Sequence, residues 1–404
     1  MINIFKLKQN IENKNMLYIL FGVLFEKAFP FILGFLFIKS ISNIEYGLWV
    51  LYFQVVLIFA STIISPLQLF FNREFKNTKY KKLKIYNFHL VAPIVIFLLL
   101  LFFIIYDVSI IHIVLCLFTI ITLILNNLLF NYLRFSQENF RYLKFSLIRF
   151  ICFVTFLISF VFYKNKILIE DLFIAMIVSN LIVVIALKGV LKIEKGKYKV
   201  QEFFKLCIYG LLTLSLGGLD KIILTKTNLN LTDLAILGYA LVFVNSTSIM
   251  LEAIKKFFSP IYFKDFNELD YYSPSAIKKT IKANIFLGIF QVVFPFLLFF
   301  LLDFLQLTKE SLIATDFFLL ILLLSISLSI HNIYHFINPY LFFINKSQYL
   351  SLIIITAGIF FSICILSIEQ LNLIKLSSIK IISSFILISL SYLFLKFQKQ
   401  KRNV

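Results

Sequence analysis

Apolar runs of roughly 20 residues recur from one end of the chain to the other, each long enough as a helix to cross a hydrocarbon layer. The breaks between them are short and rich in Lys, Asn, Pro and Ser. The runs lie near 16–38, 47–70, 87–106, 109–130, 145–162, 170–187, 206–224, 235–254, 283–302, 315–337, 348–366 and 379–395, which predicts twelve transmembrane helices. No break is long enough to hold a soluble catalytic domain. The pattern predicts an all-α polytopic membrane protein, and any chemistry must occur within the membrane or at its surface.

Composition agrees: 61% of the 404 residues are hydrophobic and 15% charged, where a soluble domain has about 25% charged residues. The 39 Lys+Arg against 20 Asp+Glu give a net charge of +19, an excess that could suggest nucleic acid until its placement is considered. Of these basic residues, 29 fall in the termini and the loops after even-numbered spans, 7 fall in the opposite loops, counting Lys380 at the edge of the last span, and 3 lie deep inside spans. That split supports the count of twelve and predicts that both termini are cytoplasmic. Clusters such as Lys79-Lys81-Lys82-Lys84 and Lys195-Lys197-Lys199 read as topology determinants at anionic headgroups. Lys6, Lys8 and Lys14 precede an apolar run as in a signal peptide, but Glu26-Lys27 interrupts that run and no small-x-small cleavage site follows, so the first span reads as retained. Cys116, Cys152, Cys207 and Cys364 are dispersed within or beside apolar runs without a CxxC, and read as small apolar residues.

Comparison of the two halves exposes a repeat. Glu26-Lys27 and Asp220-Lys221 are acid-Lys pairs 194 residues apart, Ser65-Pro66 and Ser259-Pro260 keep the same spacing, and Tyr46-Gly47 and Gly238-Tyr239 lie close to it. Each half reads as six spans: a first helix with a buried acid-Lys pair, a second opened by Tyr and Gly and ended near Ser-Pro, then a basic inner loop. The predicted domains are an amino-terminal bundle over 1–190 and a carboxy-terminal bundle over 191–404. Parallel repeats of this kind suit carriers that rock one half against the other.

Charges within hydrocarbon cost a few kcal/mol and face a bundle interior, a hydrated cavity or a partner. Glu26, Lys27, Arg149, Asp220 and Lys221 are the five in this chain. One reading makes them interhelical ion pairs. The other makes Lys27, Arg149 and Lys221 a site for an anionic substrate, with Glu26 or Asp220 taking up a proton or Na⁺. Gly210, Gly217 and Gly218 gather in span seven, favouring a kink or close contact there, and Pro30, Pro93 and Pro295 mark bends in spans one, three and nine. His331 and His335 stand one turn apart with Asn332 and Tyr334 beside them. Their spacing is that of HExxH zinc sites, but Asn332 occupies the position of the general base and no third ligand can be named, so His331, Tyr334 and His335 read as a polar stripe for substrate hydroxyls or for hydrogen bonds between helices.

The chain resembles the Wzx-type flippases of O-antigen and capsule repeat units, in the superfamily that includes the MATE exporters. The likeness rests on Ser42-Asn43-Ile44-Glu45-Tyr46-Gly47 before span two, Leu219-Asp220-Lys221-Ile222-Ile223-Leu224 followed by Leu237-Gly238-Tyr239, and Ser259-Pro260. The resemblance implies a MATE-like fold in the bacterial inner membrane. It implies alternating-access movement of a polyprenyl-diphosphate-linked oligosaccharide to the outer leaflet, as an antiporter driven by protons or Na⁺. Implied partners are membrane lipids and the polymerase and chain-length or ligase machinery, with no nucleic acid and no cofactor beyond the coupling ion. Glu26-Lys27 and the His331/His335 stripe match no general pattern of the family.

Two alternatives stay open. A polysaccharide polymerase of the Wzy type would be a membrane glycosyltransferase, but such proteins carry a large outer loop with Arg and His that is missing here. A MATE-type drug or cation exporter shares the fold and would call for net acid, where the five buried charges sum to +1. A carrier rather than an enzyme is the expected class.

Overall fold

The computed structural model describes residues 17–74, 83–85, 108–136, 138–187, 193–195, 207, 221, 229–268, 274–313, 316–343 and 347–402, with side chains outside 65–74, 83–85, 135, 193–195, 250–286, 334–351 and 394–402. The helices are α1 (Leu17–Lys27), α2 (Phe29–Ser40), α3 (Asn43–Glu74), α4 (Ile110–Phe135), α5 (Asn139–Lys164), α6 (Ile169–Leu187), α7 (Leu231–Glu268), α8 (Pro274–Phe304), α9 (Phe317–Phe343), α10 (Ser347–Leu366) and α11 (Leu373–Arg402). Seven are long and apolar enough to span a membrane, and α1 with α2 makes an eighth span broken by 55°. The apolar stretches Phe317–Ile333 and Leu352–Leu366 of α9 and α10 are shorter. The helices therefore overlie ten of the twelve predicted spans. The spans predicted at 87–106 and 206–224 lie outside the described residues except for Cys207 and Lys221, both helical.

The bend expected at Pro30 is a break between two limbs: Pro30 has no N–H to return to the Glu26 carbonyl, and α2 starts afresh with Ile32 N donating to Ala28 O at 2.9 Å. The second limb widens to a π-turn over Leu33–Phe37 and tightens to 3-10 over Ile38–Ser40. The second and eighth spans do not end at their Ser-Pro pairs: α3 and α7 run through Pro66 and Pro260. An apolar window marks the part of a helix in hydrocarbon and not the helix itself, and prolines are tolerated in membrane helices.

The chain divides into two compact units, one comprising Met1–Ser42, Val55–Gly210 and Ile249–Ile261, the other Asn43–Gln54, Leu211–Ser248 and Tyr262–Val404. Segments of α3 and α7 are thus exchanged between the units. In the first unit α1, α4, α5 and α6 enclose a core of Val23, Leu129, Phe130, Leu133, Tyr142 and Val183. Asn126 Nδ2 donates to Asn180 Oδ1 at 2.8 Å, and Asn180 in turn to Thr122 at 3.3 Å, tying α4 to α6 where no water competes. Asn165, at φ 58°, ends α5 in the left-handed cap that Asn tolerates. The loops after α3 and α6 meet in a two-stranded parallel sheet of β1 (Leu83–Ile85) and β2 (Ile193–Lys195), with Lys84 opposite Glu194. Lys84 and Lys195, one from each of the lysine clusters recognised in the sequence, thus lie on neighbouring strands.

The second unit packs α7, α8 and α9 through Tyr239, Phe243, Phe299 and Phe317, whose rings stand 5.2 to 6.2 Å apart in edge and stacked pairs. Ser327 and Ser384 approach at 3.4 Å between α9 and α11. Outward faces are apolar in both units, with Ile110, Phe162 and Phe304 about four-fifths exposed, as helices surrounded by lipid require.

Candidate functional site

The first unit holds a buried polar cluster on one face of α5. Asn139, Tyr142, Ser146, Arg149, Phe153 and Leu157 recur at three- and four-residue steps and are all buried, while Phe140 and Ile151 on the other faces are exposed. Their partner is the broken first span. Gly22 of α1 has no side chain, and the Tyr142 ring fills the space a Cβ would take. That seats the Tyr142 hydroxyl to donate a hydrogen bond to Glu26 Oε2. Two turns further along α5, Arg149 is 4% exposed with its guanidinium carbon 4.3 Å from the centre of the Phe29 ring, and Phe153 stacks on Phe29 at the same centroid distance. Glu26 and Phe29 flank the helix break, so the carboxylate that Tyr142 reaches and the ring beneath Arg149 come from one joint.

Hydrogen-bonding capacity remains unused in this cluster. Asn131 Nδ2, Asn139 Oδ1, Ser146 Oγ and Arg149 Nε are buried without a hydrogen-bond partner among the described residues. Orphan polar atoms in hydrocarbon surroundings are costly, and a concentration of them along one face marks a place that water or a polar ligand visits. Arg134 stands over the other side of Tyr142 at 6.0 Å and donates to Asn131 Oδ1 at 2.5 Å.

In the second unit, Lys221 Nζ donates to Gln54 Oε1 at 2.6 Å. Gln54 is 8% exposed and sits two turns beyond Tyr46-Gly47 on α3. The Tyr-Gly motifs are the contact between α3 and α7. A Cβ on Gly47 would overlap the Leu231 carbonyl, a Cβ on Gly238 would overlap Val50, and Tyr46 and Tyr239 are both buried beside the crossing. Ser311 Oγ, from the turn after α8, donates to Asn43 Oδ1 at 3.3 Å at the start of α3. Lys309 in that turn is half-buried, and burial lowers its ammonium from the usual lysine range.

The predicted site residues fall in both units. In the first, Glu26 accepts from Tyr142, Arg149 lies over Phe29, and Lys27 beside Glu26 is exposed; in the second, Lys221 donates to Gln54. His331 is half-buried and Asn332 is 7% exposed. Asp220 and the side chains of Tyr334 and His335 lie outside the described residues. Among the described residues no three His, Cys, Asp or Glu side chains gather as metal ligands. Sequence reasoning missed Tyr142 and Gln54. Tyr142 carried a legible signal, since it lies seven residues before Arg149 and so on the same helix face; Gln54 carried only its polarity within an apolar run. A third omission is His112, whose Nε2 meets Glu170 Oε1 at 2.9 Å, joining the starts of α4 and α6 next to the Lys164–Asp171 ion pair at 2.7 Å.

No known family profile matches the sequence, and no curated relative is found for it. Solved structures are matched over nearly the whole chain. A MATE protein in the straight conformation aligns at TM-score 0.59 and 9% identity, covering 96% of both chains. An inward-facing multidrug resistance MATE family transporter of the MOP superfamily aligns at 0.57 and 10% identity, again covering 96% of both. A MATE protein in complex with Br-NRF aligns at 0.51 and 11% identity, covering 97% of this chain and 96% of that one. The chain has a MATE-like helical fold, built of apolar helices that make it a multi-pass membrane protein.

Proposed function

We propose that this protein is an alternating-access flippase for polyprenyl-diphosphate-linked oligosaccharide repeat units, with Glu26 and Asp220 as its ion-coupling carboxylates and Arg149, Lys27 and Lys221 as its anion-binding cations. The observation that carries the reading is Arg149: a guanidinium 4% exposed within a membrane-spanning helix, stacked on Phe29, in a fold otherwise found in transporters. A buried cation in hydrocarbon is costly unless an anion comes to it, and a diphosphate headgroup is the part of such a cargo that cannot cross lipid unaided. The buried Asn, Ser and Tyr side chains on α5 suit the sugar hydroxyls. Periplasmic delivery, with both termini cytoplasmic and a polymerase downstream, completes this reading.

The test is a deletion strain in which lipid-linked units and surface polysaccharide are followed together. Single repeat units held on the inner leaflet are the expected result; units reaching the outer leaflet without extension would instead indicate a polymerase. A second reading, a MATE-type exporter of drugs or cations, is favoured by the solved neighbours and by the half-buried Glu26 carboxylate. Unchanged surface polysaccharide with heightened sensitivity to cationic drugs would put that reading first.

A further inference from the structure

From the seam between α8 and α9 in the second unit we infer that Gln291, Ser325 and the backbone opened by Pro295 form a binding site for a single buried water, which makes this point of α8 a hinge. The inference is independent of what the protein carries.

Gly288, Gln291, Pro295, Phe299 and Leu302 form the buried face of α8 at three- and four-residue steps, while Ile289, Val293 and Leu297 on the opposite face are exposed. Two contacts fix how the buried face meets α9. A Cβ on Gly288 would lie 2.5 Å from Ser329 Oγ, and the Phe299 and Phe318 rings stand 5.1 Å apart. Eleven residues separate these contacts on each helix, so the two run antiparallel in step, and Gln291 comes level with Ile326. Ser325 is one residue from that level, about 1.5 Å along the axis. It lies seven residues after Phe318 and four before Ser329, and so on the stripe of α9 that touches α8.

Three polar groups gather at this level. Gln291 is 2% exposed and its Nε2 has no hydrogen-bond partner among the described residues; Ser325 is fully buried and its Oγ has none either. The two therefore do not bond to each other. Nor does Ser325 bond to its own helix as Ser377 and Ser391 of α11 do, which donate to carbonyls four residues earlier at 2.8 and 2.7 Å. The third group is the Gln291 carbonyl. Its donor in an α-helix is the N–H four residues on, and Pro295 has none, although α8 continues through it. One residue thus contributes an unpaired donor and an acceptor without its helical donor, and the facing helix contributes a hydroxyl that can be either.

A single water answers all three: it accepts from Gln291 Nε2, donates to the Gln291 carbonyl and exchanges a hydrogen bond with Ser325 Oγ. Buried waters typically make about three such bonds. Backbone groups freed by proline in membrane helices are satisfied in the same way. Residues 288–299 and 318–329 include no charged side chain, which leaves a neutral ligand. A carbonyl held by water instead of an amide lets the helix bend there without breaking a bond between protein groups.

The experiment uses the full chain in phosphatidylcholine nanodiscs, exposed briefly to X-rays in heavy-oxygen water, which oxidises side chains beside bound water, with mass spectrometry as the readout. The wild-type peptide containing Pro295 is expected to gain heavy oxygen, and Gln291→Leu and Ser325→Ala each to lower that label about fivefold. Pro295→Ala, which returns the N–H, lowers it too and slows amide exchange across Leu287–Phe304 about tenfold. Unfolding midpoints give the second readout. Each of Gln291→Leu and Ser325→Ala lowers the midpoint by a few degrees, and the double variant falls no further than Gln291→Leu, because both lose the same water. An unlabelled Pro295 peptide in folded wild type, a label unchanged by both substitutions, or additive losses of stability would each overturn the site. Equal amide exchange in wild type and Pro295→Ala would overturn the hinge. A higher midpoint in Gln291→Leu would show that the amide is buried dry, since removing an unsatisfied group then stabilises the protein. Ser325→Ala removes a single oxygen and keeps the test decisive where Gln291→Leu does not fold.

Discussion

Gly47 of α3 lies directly against the backbone carbonyl of Leu231 at the start of α7, and seven residues further along α7 Gly238 faces Val50 of α3. The two contacts differ in what can yield. A backbone carbonyl at a helix start cannot move aside without dragging its helix, whereas a Val side chain can. Gly47→Val is therefore expected to lower thermal stability by about 1–3 kcal/mol and to abolish function. Gly238→Ala is expected to be milder, and Val50→Ala in the same protein to restore most of what it loses. A thermal-unfolding comparison of the two single variants and the pair checks this, and additive losses would rule out direct contact.

The Lys221 ammonium is held by the Gln54 amide oxygen at 2.6 Å. Lys221→Ala and Asp220→Ala are expected to stop transport while leaving membrane insertion intact. Gln54→Leu is expected to approach the Lys221→Ala phenotype, because it removes the 2.6 Å acceptor of the ammonium, and Gln54→Glu to retain function, since it keeps an acceptor at the same reach. Accumulated lipid-linked units, measured beside membrane levels of each variant, read the outcome. Full activity in Gln54→Leu would show that the ammonium is positioned by other groups.

The span pattern was legible because hydropathy over a helix-length window is the strongest signal a chain carries, and ten of the predicted runs fall on described helices. Arg149 was legible for the same reason, as a charge where charge is costly. Adjacency on a helix was a weaker guide. Glu26 and Lys27 look like one pair in the sequence, yet neighbouring residues point about 100° apart, and the structure sends one to Tyr142 and leaves the other exposed. The break at Ala28 was signalled by Pro30, but its size depends on what packs behind it. The Tyr-Gly motifs read as the openings of the second helix in each half and are also contact points between two helices, which a single sequence cannot reveal, because the clash that forbids a side chain belongs to a segment far away in the chain.

Tyr142 joins α5 to the first span through one hydroxyl and one ring. Tyr142→Phe keeps the ring against Gly22 and removes only the donor to Glu26. Hydrogen bonds to charged groups contribute about 1.5–3 kcal/mol, so a stability loss in that range is expected, read as a lower unfolding midpoint in detergent. Gly22→Leu should be worse, since the ring itself must leave. If Tyr142→Phe unfolded at the wild-type midpoint, the carboxylate would have to be satisfied elsewhere.

The contact between Asn43 and Ser311 offers a way to ask whether the start of α3 must part from the turn after α8 during the cycle. Their side chains meet at 3.3 Å, within reach of a disulfide if both are changed to cysteine. The chain's own thiols, Cys116, Cys152, Cys207 and Cys364, are free and can be replaced by Ala or Ser as a background. In that background Asn43→Cys with Ser311→Cys is expected to cross-link under mild oxidation and to stop delivery of repeat units, with recovery on reduction. Either single variant should work normally under the same oxidant. If the cross-linked protein still delivered cargo, this end of α3 would stay docked throughout transport, and the movement would have to occur elsewhere in the bundle.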